Sequence, residues 1–395
     1  MIQLSHNRII TFLLLVAFCI FPFGNLLRFQ ITPTLSIVLL DCLVALIVCL
    51  SLSGVWKKRK ALMGNTAIRA LGGFYVIGVI SLVVNASWLT PQSFVVSGLY
   101  GIRFLTYAAL FLVSLCFDYA QKKIVYKGLV ISGCVMALAG IMQYALFPDL
   151  RGFFSLGWDD HLFRLFGTLF DPNFSGAVFV ITALLGLDMY WREKKHSLLS
   201  GVFILLPLLA LILTYSRSSY LMAMTAILSY YVMKRTYRYA VLGIVTVVLA
   251  VIMLPKSLQS EGVNLFRTAS IEARAHEYTQ AFDIFTDNPL VGVGFNTYRY
   301  AQLKYGDLGV LTDQPDHAGA GLPNSFLFIF ATTGFIGGMF FLFFLMTQMR
   351  LAISTKNALY VACICALCVH ALFENTLFYP FIMFQYMMLS GVQSE

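Results

Sequence analysis

Three arginines and one histidine carry the chemistry this chain can offer: Arg164, Arg217, Arg274 and His317. Arg217 lies between Ser216 and Ser218 in a very short turn joining two apolar runs. An arginine at a membrane interface ordinarily snorkels to water. One that faces into a helix bundle suits an anionic ligand, because its planar fork meets phosphate oxygens two at a time. Arg274 belongs to a stretch in which Tyr278, Ala281, Phe282 and Phe285 recur at helical spacing. Ser270 can cap that helix, Glu272 suits its first turn, and Asn288–Pro289 stops it. Arg164 precedes Gly167-Thr168-Leu169-Phe170-Asp171-Pro172-Asn173. A helix start with Asp171 as cap and Pro172 in the first turn accounts for most of that pattern and leaves Arg164 as a further phosphate contact. His317 stands beside Asp316, which favours the imidazolium, and a neutral histidine can take a proton near neutral pH, although a lone loop histidine is more often a solvated bystander. Cations and an acid–base candidate on one side of a membrane suit a lipid-phosphate substrate.

Other motifs carry less. Gly292-Val293-Gly294 follows no strand, so a dinucleotide site fails its context and a tight turn after a helix is expected. Cys363, Cys365 and Cys368 sit in an apolar run with no His or carboxylate beside them and read as buried structural cysteines. No metal or cofactor is expected. Among ionisable residues inside apolar runs, Arg103 can join the phosphate site, and Glu374 reads as facing water.

The elements that must position these residues are membrane helices. The chain of 395 residues is 59% hydrophobic and 11% charged, with mean hydropathy +0.81. That leaves too little charge for a soluble surface. Continuous apolar runs exclude the alternation of a β-barrel, and spans that satisfy their own backbone are helices. The expected fold is an all-α, polytopic integral membrane protein of about twelve spans. They lie near 8–27, 32–54, 67–89, 93–117, 125–147, 173–191, 198–215, 218–233, 239–255, 323–348, 358–374 and 377–392. The net charge of +9 does not point to nucleic acid. The basic residues at 57–60, 122–123, 192–195, 234–238 and 350–356 fall on every second connection, so the positive-inside rule puts these and both termini in the cytoplasm. Residues 1–395 then form one membrane domain, and 256–322 form a long extracytoplasmic loop subdomain between the ninth and tenth spans.

The chain resembles the O-antigen ligase and O-antigen polymerase family of bacterial membrane glycosyltransferases, over roughly 160–350. Four stretches carry the resemblance: Gly167 to Asn173; Thr214-Tyr215-Ser216-Arg217-Ser218; Arg274 with Tyr278, Ala281, Pro289-Leu290, Gly292 and Gly294; and Pro323-Asn324-Ser325-Phe326-Leu327 followed by Thr333-Gly334-Phe335-Ile336-Gly337. The chain departs from the family at Pro323, where a histidine usually stands. Either His317, six residues earlier, takes that role or the usual base is lacking.

The resemblance implies a GT-C-like architecture in the bacterial inner membrane and a metal-independent transfer of glycan from a polyprenyl diphosphate carrier to the hydroxyl of an acceptor glycolipid or glycan. It implies Arg217, Arg274 and Arg164 on the diphosphate and His317 as base. A ligase, a polymerase and a protein oligosaccharyltransferase would share these motifs. A transporter of lipid-linked glycans is the reading from another class, and no inverted repeat with paired broken helices supports it.

Overall fold

The computed structural model describes residues 2–192, 198–254, 263–264, 269–305 and 321–393. Fifteen α-helices are described: α1 Ile2–Ile20, α2 Leu39–Lys57, α3 Arg59–Gly64, α4 Thr66–Val84, α5 Pro91–Leu115, α6 Tyr119–Leu146, α7 Pro172–Arg192, α8 Leu198–Leu213, α9 Arg217–Met233, α10 Tyr237–Ile252, α11 Ala269–Asp287, α12 Tyr298–Lys304, α13 Ser325–Ser354, α14 Ala358–Ala371 and α15 Pro380–Val392. A hairpin of β1 (Arg28–Thr32) and β2 (Leu35–Val38) is the sheet of the described residues.

A helix stands at each of the twelve expected positions, and the lengths differ from expectation. Seven are long and apolar enough to cross a membrane: Asn7–Leu27, α2, α4, α5, α6, α7 and α13. The other five, α8, α9, α10, α14 and α15, run from 13 to 17 residues. At 1.5 Å per residue that is roughly 20–26 Å, short of the about 30 Å hydrocarbon layer. The second expected span begins later, at Leu39, because residues 28–38 pair as the hairpin. The eleventh ends at Ala371 rather than near 374, because the chain turns inward there.

The hairpin is tied down by charge. Asp41 accepts from Val38 N at 3.0 Å and from Tyr107 Oη at 2.8 Å, and pairs with Arg103 Nη2 at 2.7 Å. Arg103 also donates to the Ser36 carbonyl. An ionic pair within apolar helices is thereby matched to a fixed set of partners.

α7 packs against α6, α8, α9 and α14. Near its far end Asp188 is buried and accepts from Tyr126 Oη at 2.9 Å and Tyr230 Oη at 3.2 Å, with Arg192 Nε 2.5 Å away. Changing Asp188 to Ala leaves both hydroxyls without this acceptor. The expected loss is about 3 kcal/mol, read as a lower Tm of the detergent-solubilised protein.

α13 breaks at Gly334, whose φ is 65° and ψ −170°. The break removes two helical bonds, from Phe335 N to Ala331 O and from Ile336 N to Thr332 O. Segment 289–294 replaces them. Phe335 N donates to Pro289 O at 2.7 Å and Ile336 N to Leu290 O at 3.3 Å, while Val293 N donates to Ala331 O at 3.0 Å and Gly294 N to Thr332 O at 3.1 Å. Ser81 of α4 and Asn85, which caps its C-terminus, close the junction, with Ser81 Oγ donating to Thr332 O at 2.8 Å and Asn85 Nδ2 to Gly292 O at 3.0 Å. Irregular backbone survives among membrane helices only where protein partners satisfy it. The Gly-x-Gly run is therefore more than the expected turn: it permits close backbone approach to the break.

Candidate functional site

Two of the sequence stretches meet through Arg164. Its Nε donates to Thr214 O at 3.0 Å and its Nη2 to Tyr215 O at 3.4 Å, while Leu165 N donates to Leu213 O at 2.9 Å. This fixes the turn in which Tyr215 adopts a φ of 51°. Ser216 caps α9 through Ser219 N, and its hydroxyl bonds Asn173 Oδ1 at 2.7 Å; Ser219 Oγ donates to the Asn173 carbonyl at 3.1 Å. Ser216, Ser218 and Ser219 are buried, and Arg217 among them is half-buried. The serines thus build the turn that presents the arginine.

Arg274 arrives from α11. That helix is held by Ala281 and Ile284, both fully buried, and by Tyr278, whose Oη lies 2.8 Å from Pro323 O and 2.7 Å from Leu372 O. Phe282, expected on the buried face, is exposed. Arg274 Nη2 pairs with Glu374 Oε1 at 2.5 Å. Glu374 is 7% exposed, so it does not face water as expected. Burial pushes its carboxyl up to about 8, with Asp171 and Asp159 adding to the rise and Arg274 and Arg164 opposing it. Burial also raises the Asp171 carboxyl, against the hydrogen bonds it accepts from Phe174 N and Asn173 N and the charges of Arg164 and Arg274. Arg217 and Arg274 feel each other's charge. Two cations held within reach of one another are a poor arrangement by themselves and a good one around a multiply charged anion.

Arg274 and Glu374 line a cavity of about 620 Å³. The hairpin, the N-terminal half of α5, the first turns of α7 and α15, and helices α11 and α12 enclose it. Its polar walls include Arg28, Arg103, Asp171, Asn173, Arg299 and Tyr379. Arg28 lies over Trp158, 5.2 Å from the ring centroid. α2 and α7 begin beside the cavity and end at Lys57 and Arg192, so these basic residues lie at the far ends of the helices.

Arg164 and Arg274 therefore lie within electrostatic reach of Asp171 and Glu374, and Arg217 within reach of Arg274. Arg274 lines the cavity, whereas Arg217 and Arg164 are not among its lining residues, and Arg164 grips backbone. His317 lies outside the described residues. Sequence reasoning missed Asn173, Arg28, Arg299 and His370. The last is buried, with Nδ1 2.6 Å from Thr376 Oγ1 and Nε2 3.4 Å from Ser219 Oγ. A buried polar residue at the end of an apolar helix is the signal that could have found it. Among the described residues no three His, Cys, Asp or Glu side chains gather as a metal ion would need.

The stretches around Arg164, Arg217, Arg274 and Pro323 thus come together, while Gly292, Gly294 and Gly334 meet at the break in α13. Residues 201–342 match the O-antigen ligase family. The O-antigen ligase match takes in the Arg217 turn, α11 with Arg274, the inserted segment 289–294 and the break in α13. The cavity also draws Arg28, Arg103, Asp171, Asn173 and Glu374 from outside the matched stretch. No curated protein matches the chain.

Proposed function

We propose that this protein transfers a glycan from a polyprenyl diphosphate carrier to an acceptor hydroxyl at the outer face of the bacterial inner membrane, as an O-antigen ligase. The observation that carries the reading is Arg274 at the cavity wall, within electrostatic reach of Arg217, in a stretch matched to that family. The diphosphate is a good leaving group whose charge grows as the glycosidic bond breaks. Arg274 on the cavity wall and Arg217 within electrostatic reach of it support reading both as the groups that meet that charge, and fixed cations favour the charge-separated transition state over the ground state. Arg164 acts by holding the Arg217 turn and adding to the local potential. His317, to which the sequence offered the role of base, lies outside the described residues. Basic residues at the opposite helix ends support cytoplasmic termini and an extracytoplasmic site.

The test is a gel profile of surface glycan from a strain lacking the protein beside the complemented strain. The ligase reading expects bare acceptor lipid and long glycan left on the polyprenyl carrier. An acceptor bearing single repeat units without a ladder would assign a polymerase instead. Because the charge-stabilising groups are arginines, the purified protein is expected to keep its transfer rate in excess EDTA, and a rate restored only by added divalent cation would refute that part.

A further inference from the structure

Transfer leaves one proton to place. The acceptor oxygen forms a bond to the anomeric carbon, the bond from that carbon to the diphosphate oxygen breaks with its electron pair staying on the diphosphate, and the hydroxyl proton needs a base. No described histidine lines the cavity. His276 is exposed on α11, His161 is buried in the loop before α7, and His370 is enclosed beside Thr376 and Ser219. Four carboxylates do line it: Asp159, Asp171, Glu277 and Glu374. Asp171 already accepts from Asn173 N at 2.6 Å and Phe174 N at 3.1 Å as the cap of α7. Asp159 is exposed in the loop before α7, and Glu277 is half-buried on α11.

Glu374 differs from these. It is buried at the cavity wall, its backbone carbonyl accepts from Ser325 Oγ at 3.1 Å, and its Oε1 is held by Arg274. No described residue bonds its Oε2. We propose that Glu374 is the base that takes the acceptor hydroxyl's proton, and that its ion pair with Arg274 couples this proton transfer to departure of the diphosphate. The proposal rests on the transferase reading. A carboxylate lifted by burial to about 8 works close to neutral pH, where a base is most effective. When the proton arrives Glu374 becomes neutral, and the Arg274 charge it was balancing turns to the diphosphate as that group gains negative charge. The charged groups that set this titration are Arg274 from α11, Asp171 and Arg164 from the approach to α7, and Asp159 from the preceding loop, and Tyr278 of α11 faces the same carboxyl.

The experiment uses the full-length protein in detergent, a polyprenyl diphosphate-linked glycan, and release of polyprenyl diphosphate followed against pH. Donor binding is measured in parallel with polyprenyl diphosphate itself. The wild-type kcat/KM rises with pH through the raised Glu374 ionisation, because only the carboxylate accepts the proton. Glu374→Gln lowers kcat by about 10²–10⁴-fold and flattens that rise while donor binding persists. Glu374→Asp keeps a rising limb at reduced rate. Four results overturn the assignment: E374Q with wild-type kcat; E374Q that retains the rising limb; E374Q that fails to bind donor; or loss of the limb in His317→Asn with its retention in E374Q. Wild-type protein that releases no polyprenyl diphosphate overturns the transferase reading itself, and this assignment with it.

Discussion

Replacing Arg274 with alanine is expected to cut glycan transfer by about 10³-fold or more, with the fall mainly in kcat. A fixed donor aimed at charge that develops in the transition state is worth about 10²–10³ in rate. Arg274 adds a second effect, because it is also the partner of Glu374 at 2.5 Å. Its removal leaves a buried carboxyl without its cation. Burial pushes that carboxyl up to about 8 even with Arg274 opposing the rise, so in R274A it stays protonated at neutral pH instead of leaving a buried charge unpaired. The variant is therefore expected to express and bind detergent normally while failing to turn over. Arg217→Ala is expected to lose about 10²-fold, and the double variant no less than R274A alone. Release of polyprenyl diphosphate by purified protein measures all three. Full transfer by the double variant at normal expression would remove both arginines from the mechanism.

The second large effect belongs to Gly334. Its φ of 65° with ψ of −170° is a conformation that side chains with a Cβ avoid at a cost of about 1–3 kcal/mol. A Cβ there would also overlap the backbone of Leu290 and Val291. Gly334→Ala must therefore either push segment 289–294 out of the break in α13 or distort the helix. Displacing the segment gives up four backbone hydrogen bonds in a place where water does not replace them. The expected result is a loss of several kcal/mol, on the order of the larger effects known for single substitutions, read as low yield and a strongly reduced Tm in detergent. Gly292→Ala attacks the same junction from the other side, since Gly292 has a φ of 69° and its Cβ would meet Thr332 and Thr333 backbone. The two changes should not add, because both break one contact. Independent, additive destabilisation would show that the segment and the helix break are not coupled.

α11 and the inserted segment were legible to different degrees. The helix was visible because Tyr278, Ala281 and Phe285 repeat at 3.6-residue spacing and Pro289 ends it. The insertion was not, because backbone pairing between a loop and a broken helix leaves no periodic mark. Only the glycines hinted at it. The hairpin at 28–38 was hidden for a related reason: Leu35, Ile37 and Val38 are as apolar as the helix that follows, so the boundary was drawn too early.

By itself the sequence determined the class of protein, since 11% charge cannot cover a soluble surface, and it placed helices along the chain by runs of apolar residues. It also supplied Arg164, Arg217 and Arg274 as the cations worth following. Tertiary structure decided what each of them does. Arg164 became the grip on the turn that presents Arg217, and Arg274 became the partner of Glu374. Glu374 shows most plainly why: its position after an apolar helix is the same whether it faces water or the cavity, and a short turn after α14 is what carries it inward. Residue type and spacing report which charges exist, whereas burial and partner, which set their chemistry, depend on contacts across about 100 residues of chain that no local pattern encodes.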